Sequence, residues 1–261
     1  KTLKFKKLTS YLYKMSKRKT NKPFPKYLKV RSIEQGVNQD VFDFEIKPSH
    51  QYIANGVVSH NSSKTQVGHV LTVQVLKQFP KSVVVYIDTE GTFRPERIEE
   101  LAAGMDVEKV LKQIRVVKAH NSDHQMLMAE KVEDLIKKDG LDVKLIVVDS
   151  LMACFRSEYM GRGSLADRQQ KVNKHMHVLS KLADVYNLCV YVTNQVMSKP
   201  DTFFGDPTNP IGGHIVGHNS TFRVYLRKGK KGSRVAKLVD APNLADAECN
   251  FMIESDGLKD V

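Results

Sequence analysis

The chain has 261 residues, with 41 Lys and Arg against 29 Asp and Glu, three cysteines and a formal net charge of +12. Three widely spaced cysteines without a CxxC pair argue against a disulfide framework or a zinc site, so we expect reduced thiols in a cytoplasmic protein. There is no signal-peptide pattern, and no apolar run approaches the roughly 20 residues of a membrane span, so no membrane partner is expected.

The positive charge is concentrated in the first 61 residues. They carry 13 Lys and Arg against 4 Asp and Glu, whereas residues 62–261 carry 28 against 25. We therefore expect two parts of different origin, 1–61 and 62–261. A Lys-rich segment is also typical of a nucleic-acid-binding arm. A permanent basic DNA-binding module at 1–61 therefore stays open as an alternative.

Short strands and turns are predicted at the end of the first part. Residues 41–46 alternate apolar and acidic side chains, as a half-buried strand does. Residues 51–54 form a second candidate strand, Asn55-Gly56 is a hairpin signal, and an apolar pair then leads to His60-Asn61-Ser62. In pattern and order, residues 30–62 resemble the carboxyl-terminal splicing blocks of inteins.

The residue types at this junction suit self-excision. The side-chain amide of Asn61 can attack its own backbone carbonyl, form a succinimide and break the following peptide bond. His60 is adjacent and can act as the acid, and the hydroxyl of Ser62 can receive the upstream chain. The resemblance implies that Asp43 and His50 are auxiliary acid–base residues. It also implies that the first part is a small all-β piece of a Hint-type intein domain, removed on splicing, whose amino-terminal block lies elsewhere.

The second part alternates helices and strands. Helices are predicted over 65–79, 97–101, 107–111, 125–137 and 165–186, and buried strands over 82–88, 144–149 and 188–193. Near-continuous β-branched runs between helices indicate a mostly parallel sheet covered on both faces, so the fold class is α/β. After residue 220 the pattern changes, and short strands at 221–227, 234–240 and 250–254 predict an antiparallel edge.

Three features of this part indicate phosphate chemistry. Lys64-Thr65 open a helix, where an ammonium would meet the β- and γ-phosphates and a hydroxyl would meet Mg²⁺. Asp149 ends a buried strand, where a carboxylate can hold Mg²⁺ or its water. Glu90 follows the end of another strand and can orient an attacking water. A capped helix and acidic strand ends are the ordinary alternatives, but the order of the three features favours an ATPase.

Longer strings are similar to the RecA/RadA recombinase family, in its archaeal and eukaryotic branch. Residues 86–98 resemble the block that carries the family's catalytic glutamate, and residues 156–163 resemble its first DNA-binding loop. Residues 193–197, 212–214 and 225–228 resemble its second DNA-binding loop and exit strand. The similarity covers essentially all of 62–261. It implies a RecA-like ATPase core that lacks its first strand and half of its phosphate loop.

The resemblance also implies roles for individual residues. Glu90 would orient water, and Gln195 would couple the γ-phosphate to the second DNA loop. Asp240 and Pro242 would cap the ATP of a neighbouring subunit, which would link ATP binding to assembly of a homo-oligomeric filament. Arg97 would pack on the adenine, and Mg²⁺ would lie on Thr65 and Asp149. The expected ATP-binding residues are Ser63, Lys64, Thr65, Gln66, Arg97 and Asp149.

Two stretches, 151–164 and 197–218, have the composition of DNA-binding loops, and the second is long enough to mark a functional loop. Arg156, Arg162 and Arg168 can meet the phosphates of single- or double-stranded DNA. Phe203 and Phe204 are equally suited to contact bases and to form a small loop core. The histidine pairs 175/177 and 214/218 have no third ligand at suitable spacing, which disfavours a metal site.

One position departs from the phosphate-loop pattern. Ser63 stands where the loop usually has its final Gly, and its Cβ would be strained if the loop needs a positive φ. A slower ATPase is therefore expected.

The expected function is a DNA-dependent ATPase and recombinase that is made as an intein-containing precursor. Its spliced product would form filaments on single-stranded DNA and catalyse homologous pairing and strand exchange in DNA repair. A paralogue that acts as a regulatory ATPase without strand exchange stays the alternative.

Overall fold

The computed structural model describes residues 52–54, 57–59, 63–161, 163–198 and 208–261. The chain divides into two compact units, 1–61 and 62–261. In the first unit, β1 (Tyr52–Ala54) and β2 (Val57–Ser59) pair antiparallel, with Ala54 opposite Val57. Two residues therefore join these strands, as the Asn-Gly signal predicts. The strand predicted over 41–46 lies outside the described residues.

The second unit is built on a parallel sheet of four strands in the order β4-β3-β5-β6. These strands are β3 (Val83–Asp88), β4 (Ile114–Lys118), β5 (Val143–Asp149) and β6 (Cys189–Val192). All six residues of β3 and nearly all of β5 are buried, as their unbroken apolar runs predict. β4 is an addition to the predicted strands.

Helices cover both faces of this sheet. A first face packs against α1 (Lys64–Gln78), α2 (Pro95–Leu101) and α3 (Val107–Lys112). A second face packs against α4 (Ser122–Lys137), α5 (Ala153–Glu158) and α6 (Leu165–Tyr186).

Alternation along β5 supplies both cores. Leu145 and Val147 join the first-face cluster, whereas Ile146 and Val148 join the second-face cluster. The prediction of an α/β fold with both faces covered is confirmed, and the long helix over 165–186 is confirmed to the residue.

The carboxyl-terminal strands form their own sheet in the order β12-β11-β10-β9. These strands are β9 (Arg223–Lys228), β10 (Arg234–Asp240), β11 (Ala247–Glu254) and β12 (Gly257–Asp260). The three predicted short strands are therefore confirmed as an antiparallel arrangement, but among the described strands they form a separate sheet and not an edge of the parallel one. Among the described strands β6 pairs only with β5 and β9 only with β10, so no strand joins the two sheets.

Both stretches predicted as loops contain regular structure. The first includes α5, and the second includes the end of β7 (Val196–Ser198), then β8 (Thr208–Pro210) and α7 (Gly213–His218). β7 and β8 pair antiparallel with Val196 opposite Pro210. Residues 162 and 199–207 of these stretches lie outside the described residues. No helix in the described part of the chain is long and apolar enough to cross a membrane.

Candidate active site

The start of α1 has an unusual backbone. Ser63 precedes the helix with φ 70° and ψ 12°, in the left-handed region, and its side chain makes no capping hydrogen bond. The first turn contains no acidic residue. Because the first N–H groups of a helix have no intrahelical partner and the helix dipole is positive there, this end suits an anion. The positive φ that the sequence pattern anticipates at Ser63 is therefore present, at a residue that has a Cβ.

Lys64 lies beside two carboxylates. Burial lowers the pKa of its ammonium, and the negative charges of Asp149 and Glu90 oppose that shift. The backbone carbonyl of Lys64 accepts a hydrogen bond from the hydroxyl of Tyr191 at 3.0 Å, which ties the helix start to β6. The predicted lysine and both predicted acids thus meet at the carboxyl edge of the parallel sheet.

Asp149 is only 3 % exposed at the end of β5. Its carboxylate accepts hydrogen bonds from Tyr86 Oη at 3.1 Å, from Thr92 Oγ1 at 3.3 Å and from Thr193 Oγ1. Burial and, to a lesser extent, the nearby negative charge of Asp149 raise the pKa of Tyr86. The phenol therefore stays protonated and acts as the hydrogen-bond donor. These hydroxyls hold the carboxylate in place and satisfy a charge that would otherwise be costly to bury.

Glu90 is the centre of a hydrogen-bond chain. Its Oε1 accepts from Ser150 Oγ at 2.6 Å and from Gln195 Nε2 at 3.0 Å. The Oε1 atom of Gln195 accepts in turn from Arg156 Nη1 at 2.9 Å. The structure therefore joins the predicted water-orienting acid, the predicted coupling residue and a predicted DNA contact in one chain, although they are far apart in sequence.

Asp88 is a site residue that the sequence analysis missed. Its carboxylate accepts from four successive backbone N–H groups, those of residues 90–93, at 2.8–3.1 Å. The turn that carries Glu90 is therefore wrapped around this carboxylate. The signal was available, because Asp at a strand end before a polar, Gly-containing turn is typical of side-chain-to-backbone bonding.

Arg97 and Gln66 come together, as predicted for two residues of one site. Arg97 Nε donates to Gln66 Oε1 at 2.9 Å. Its two terminal nitrogens donate to Glu100 Oε2 and to the carbonyls of Glu254 and Ser255, at 2.5–2.8 Å. The guanidinium thus ties α2 to α1 and to the turn between β11 and β12. Its predicted contact with adenine remains a prediction.

Arg234 is a second contact that the sequence analysis missed. It lies at the start of β10 and donates from Nε to Ser63 Oγ at 2.8 Å. The same side chain donates to the carbonyls of Gly232 and Ser233. A cation is therefore held against the start of α1. No sequence signal connects residues 63 and 234, because the contact depends on the placement of the antiparallel sheet.

The remaining predicted residues fall into two groups. Asp240 ends β10 and accepts from Arg223 at 3.0 and 2.6 Å, Pro242 is exposed, and Arg168 lies in the first turn of α6. The rest lie outside the described residues: Asp43, His50, His60, Asn61, Ser62, Arg162, Phe203 and Phe204. Within the part of the chain that is described, no group of three His, Cys, Asp or Glu side chains could hold a metal ion.

The residues present fit ATP with Mg²⁺. The start of α1 offers an anion site with an ammonium, and oxygen ligands of the kind that Mg²⁺ prefers are available from the buried Asp149 carboxylate and the Thr65 hydroxyl.

A family model and two named proteins are similar in sequence to this chain. A sequence model of the family described as Rad51 matches residues 52–261. The "DNA repair and recombination protein RadA" of Methanoculleus marisnigri is 52% identical over 214 residues, which cover 76% of this chain and 65% of that protein. The protein of the same name from Methanocorpusculum labreanum is 50% identical over 219 residues, 76% of this chain and 66% of that protein. The chain thus spans slightly less than two thirds of these relatives.

Proposed function

This chain belongs to the Rad51 family, and we propose that residues 62–261 are the ATPase core of a DNA recombinase. The observation that carries the proposal is the hydrogen-bond chain from Glu90 through Gln195 to Arg156, next to Lys64 and Asp149. It links the place where a γ-phosphate would lie to a helix that carries an exposed arginine. The names of the two relatives, which concern DNA repair and recombination, support the same assignment.

In the proposed reaction, ATP is hydrolysed at the carboxyl edge of the parallel sheet. Lys64 and the start of α1 bind the β- and γ-phosphates, and Thr65 and Asp149 would hold Mg²⁺. When bound, Mg²⁺ neutralises the charge that develops on the phosphate oxygens. Glu90 accepts a hydrogen bond from the attacking water and orients it, while Asp88 fixes the turn that positions Glu90. Arg97 and Gln66 would form the purine side of the pocket.

Coupling to DNA is proposed to pass through Gln195. Its side-chain amide contacts Glu90 on one side and Arg156 on the other, so a change at the γ-phosphate would alter the position of Arg156. Arg156, Arg162 and Arg168 would contact DNA phosphates, and Phe203 and Phe204 would contact bases. Asp240 and Pro242 would cap the nucleotide of the next subunit in a homo-oligomeric filament, so ATP would favour assembly on single-stranded DNA.

We further propose that residues 1–61 are the carboxyl-terminal piece of an intein. The hairpin of β1 and β2 ends at Ser59, directly before His60-Asn61-Ser62, and the division into two compact units falls at the Asn61–Ser62 bond. Asp43 and His50 would assist as acid and base. The upstream chain would first be carried as an ester on Ser62 Oγ. Closure of the Asn61 succinimide would then release the Ser62 amine, and that amine would take the acyl group to form a peptide bond.

The start of the family match bears on the intein proposal. The family match begins at Tyr52, upstream of Ser62. Without splicing, residues 52–62 would themselves have to supply the strand and turn before Lys64. The closest glycine before Lys64 is then Gly56, and Val58 stands where the phosphate-loop pattern has its first Gly.

The recombinase proposal is tested by strand exchange. The chain is co-expressed with an upstream half taken from the Methanoculleus marisnigri relative and fused to an intein amino-terminal block, and the joined product is purified. We expect ATP-dependent formation of a joint molecule between single-stranded DNA and homologous duplex. Arg156→Ala should reduce DNA-stimulated hydrolysis while leaving basal hydrolysis in place. A product that hydrolyses ATP but forms no joint molecule would support the regulatory paralogue instead.

Intact mass of the same product tests splicing. We expect a protein that lacks residues 1–61, and a precursor that persists when Asn61→Ala removes the attacking amide. Retention of residues 1–61 in the stable product of the unsubstituted chain would support the permanent basic module.

A further inference from the structure

Tyr191 contacts the start of α1 from the parallel sheet. It lies in β6 opposite Val147 of β5, and Val147 in turn lies opposite Tyr86 of β3. Side chains at one register position of neighbouring parallel strands point to the same face of a sheet. These three therefore form one row across the first face, where they belong to the same apolar cluster. We call them the Tyr–Val–Tyr row.

Gly68 of α1 lies directly on this row. A Cβ at residue 68 would be 3.4 Å from Tyr191 Cε1 and 3.5 Å from both Tyr86 Oη and Val147 Cγ1. α1 therefore packs against the row at a residue that has no side chain, and the two phenol rings occupy the space between the helix and the sheet.

The two phenols hold different parts of the candidate site. The hydroxyl of Tyr191 donates to the backbone carbonyl of Lys64 at 3.0 Å. The hydroxyl of Tyr86 donates to Asp149 Oδ2 at 3.1 Å. Burial and, to a lesser extent, the negative charge of Asp149 raise the pKa of both phenols, so both act as donors. One hydroxyl therefore fixes the backbone that carries the lysine, and the other fixes the carboxylate.

The contact from Tyr191 comes where α1 lacks a cap. Ser63 has a left-handed backbone and makes no capping bond from its side chain. In an α-helix the carbonyl of the first residue accepts from the N–H four residues on, which in α1 is that of Gly68. The hydroxyl of Tyr191 is a second donor to the same oxygen, which has two lone pairs. It ties the first peptide of α1 to the sheet that also carries Asp149.

We propose that Tyr191 is a positioning residue for the nucleotide. Its hydroxyl holds the first peptide of α1 in the place where Lys64 and the first N–H groups of the helix meet the phosphates, while Tyr86 holds the carboxylate of Asp149. The proposal rests on the proposed ATPase function, because it concerns the same site. It predicts that the two hydroxyls have separable effects, one on nucleotide affinity and the other on the requirement for Mg²⁺.

The contact itself is tested in the full chain with Asn61→Ala, which keeps the chain intact. NMR of the carbonyl carbons compares this chain with one that also carries Tyr191→Phe, a change that retains the ring and removes only the hydroxyl. The carbonyl carbon of Lys64 should shift upfield when the hydrogen bond is lost, whereas that of Leu76, near the end of the same helix, should not. An unchanged Lys64 resonance would overturn the proposal.

Nucleotide affinity is measured on a continuous fusion, so that the result does not depend on splicing. The residues of the Methanoculleus marisnigri relative that align ahead of Ser62 are joined directly to it. Tyr191→Phe should raise the Kd for ATP with Mg²⁺ about fivefold, which corresponds to the loss of one ordinary hydrogen bond. The kcat should stay within about twofold, because the helix start is held in the same way in the ground and transition states.

Two further variants separate positioning from a general loss of packing. Tyr86→Phe should raise the Mg²⁺ concentration for half-maximal hydrolysis about fivefold, whereas Tyr191→Phe should leave that midpoint unchanged at saturating ATP. Tyr186→Phe is the matched control, because it removes a hydroxyl that donates to Glu133 on the second face of the sheet. It should change neither the Kd nor the Mg²⁺ midpoint.

The outcomes distinguish the two proposals. An equal Kd in Tyr191→Phe and in the unsubstituted fusion would overturn the role of Tyr191 but not the proposed ATPase. Equal shifts of the Mg²⁺ midpoint in Tyr191→Phe and Tyr86→Phe would also overturn that role, because both residues would then act through packing alone. Absence of ATP binding by the unsubstituted fusion would overturn the proposed ATPase and, with it, the positioning role.

Discussion

The starts of α1 and α4 are built for opposite purposes. At α4, the side chain of Asn121 accepts a hydrogen bond from the backbone N–H of His124 at 2.7 Å, and Asp123 lies in the first turn. At α1, Ser63 makes no such bond, adopts a left-handed backbone and is followed by a lysine. The first start is satisfied by the chain itself, whereas the second is left able to bind an anion.

The difference identifies Ser63 as a position where a functional requirement lowers local stability. A capped helix start contributes about 1 kcal/mol, and a non-glycine residue with positive φ costs about as much. At Ser63, α1 lacks the stabilisation from a side-chain cap and also carries the cost of a positive φ. Such local departures from good helix design are expected at functional sites.

The largest effect is expected from Lys64→Ala in the joined product. Loss of the ammonium should lower kcat/KM for ATP on the order of 10³-fold or more, because a preorganised charge at the phosphates is removed. Phosphate release with single-stranded DNA measures this. Lys77→Ala, an exposed lysine in the last turn of the same helix, is the control and should leave hydrolysis unchanged. Equal losses in both variants would show that α1 acts only structurally.

The next largest effect on catalysis is expected from Glu90→Gln. It keeps the size of the side chain and an oxygen that accepts hydrogen bonds but removes the charge, so kcat should fall on the order of 10²- to 10⁴-fold while the Kd for ATP stays close to that of the unsubstituted protein. The exposed Glu96→Gln is the matched control. An unchanged kcat in Glu90→Gln would show that Glu90 has no role in the reaction.

Asn121→Ala tests the helix start that is capped by its own side chain, at α4. Loss of the cap at α4 should lower the free energy of unfolding by about 1 kcal/mol, seen as a lower midpoint in urea without a change in slope. ATP hydrolysis below the unfolding transition should not change. A strong loss of hydrolysis in this variant would mean that the two helix starts are not functionally distinct.

Ser63→Gly should have the smallest effect on stability. Glycine relieves left-handed strain of about 1–2 kcal/mol. It costs about 0.5–1 kcal/mol of backbone entropy and loses the 2.8 Å bond from Arg234, which contributes about 1 kcal/mol, so the two losses together roughly offset the gain. Hydrolysis should rise, because no Cβ stands next to the phosphate.

Ser63→Ala, which keeps the Cβ and loses the hydroxyl, is the comparison for this prediction. It should destabilise the protein by about 1 kcal/mol. Higher hydrolysis in the alanine variant than in the glycine variant would contradict this account.

Sequence patterns predicted the buried elements well. β3, β5 and α6 have long apolar runs or a sustained helical period, and their predicted bounds lie within a residue of the observed ones. β4 was not predicted because Ile114 is its single buried residue and its remaining positions are exposed or half-buried, which leaves no clear alternation. α5 escaped because it is only six residues long and begins without a side-chain cap.

The chemistry of the site was partly readable for a different reason. Lys64, Asp149 and Glu90 each stand at the end of a helix or strand, and the carboxyl edge of a parallel sheet gathers such ends in one place. The contact between Glu90 and Gln195, and that between Ser63 and Arg234, depend instead on how distant segments pack. No local pattern encodes them. The separation of the two sheets also could not be predicted from local patterns, because such patterns do not show which distant strands pair.

Titration with ATP and Mg²⁺ before and after joining tests the central claim most directly. The chain with Asn61→Ala and the spliced product are compared by calorimetry at the same protein concentration. We expect the intact chain to bind ATP too weakly to detect, and the joined product, which lacks residues 1–61, to bind ATP at one site per subunit. Binding of equal affinity by the intact chain would contradict it, because residues 52–62 would then complete the site unaided.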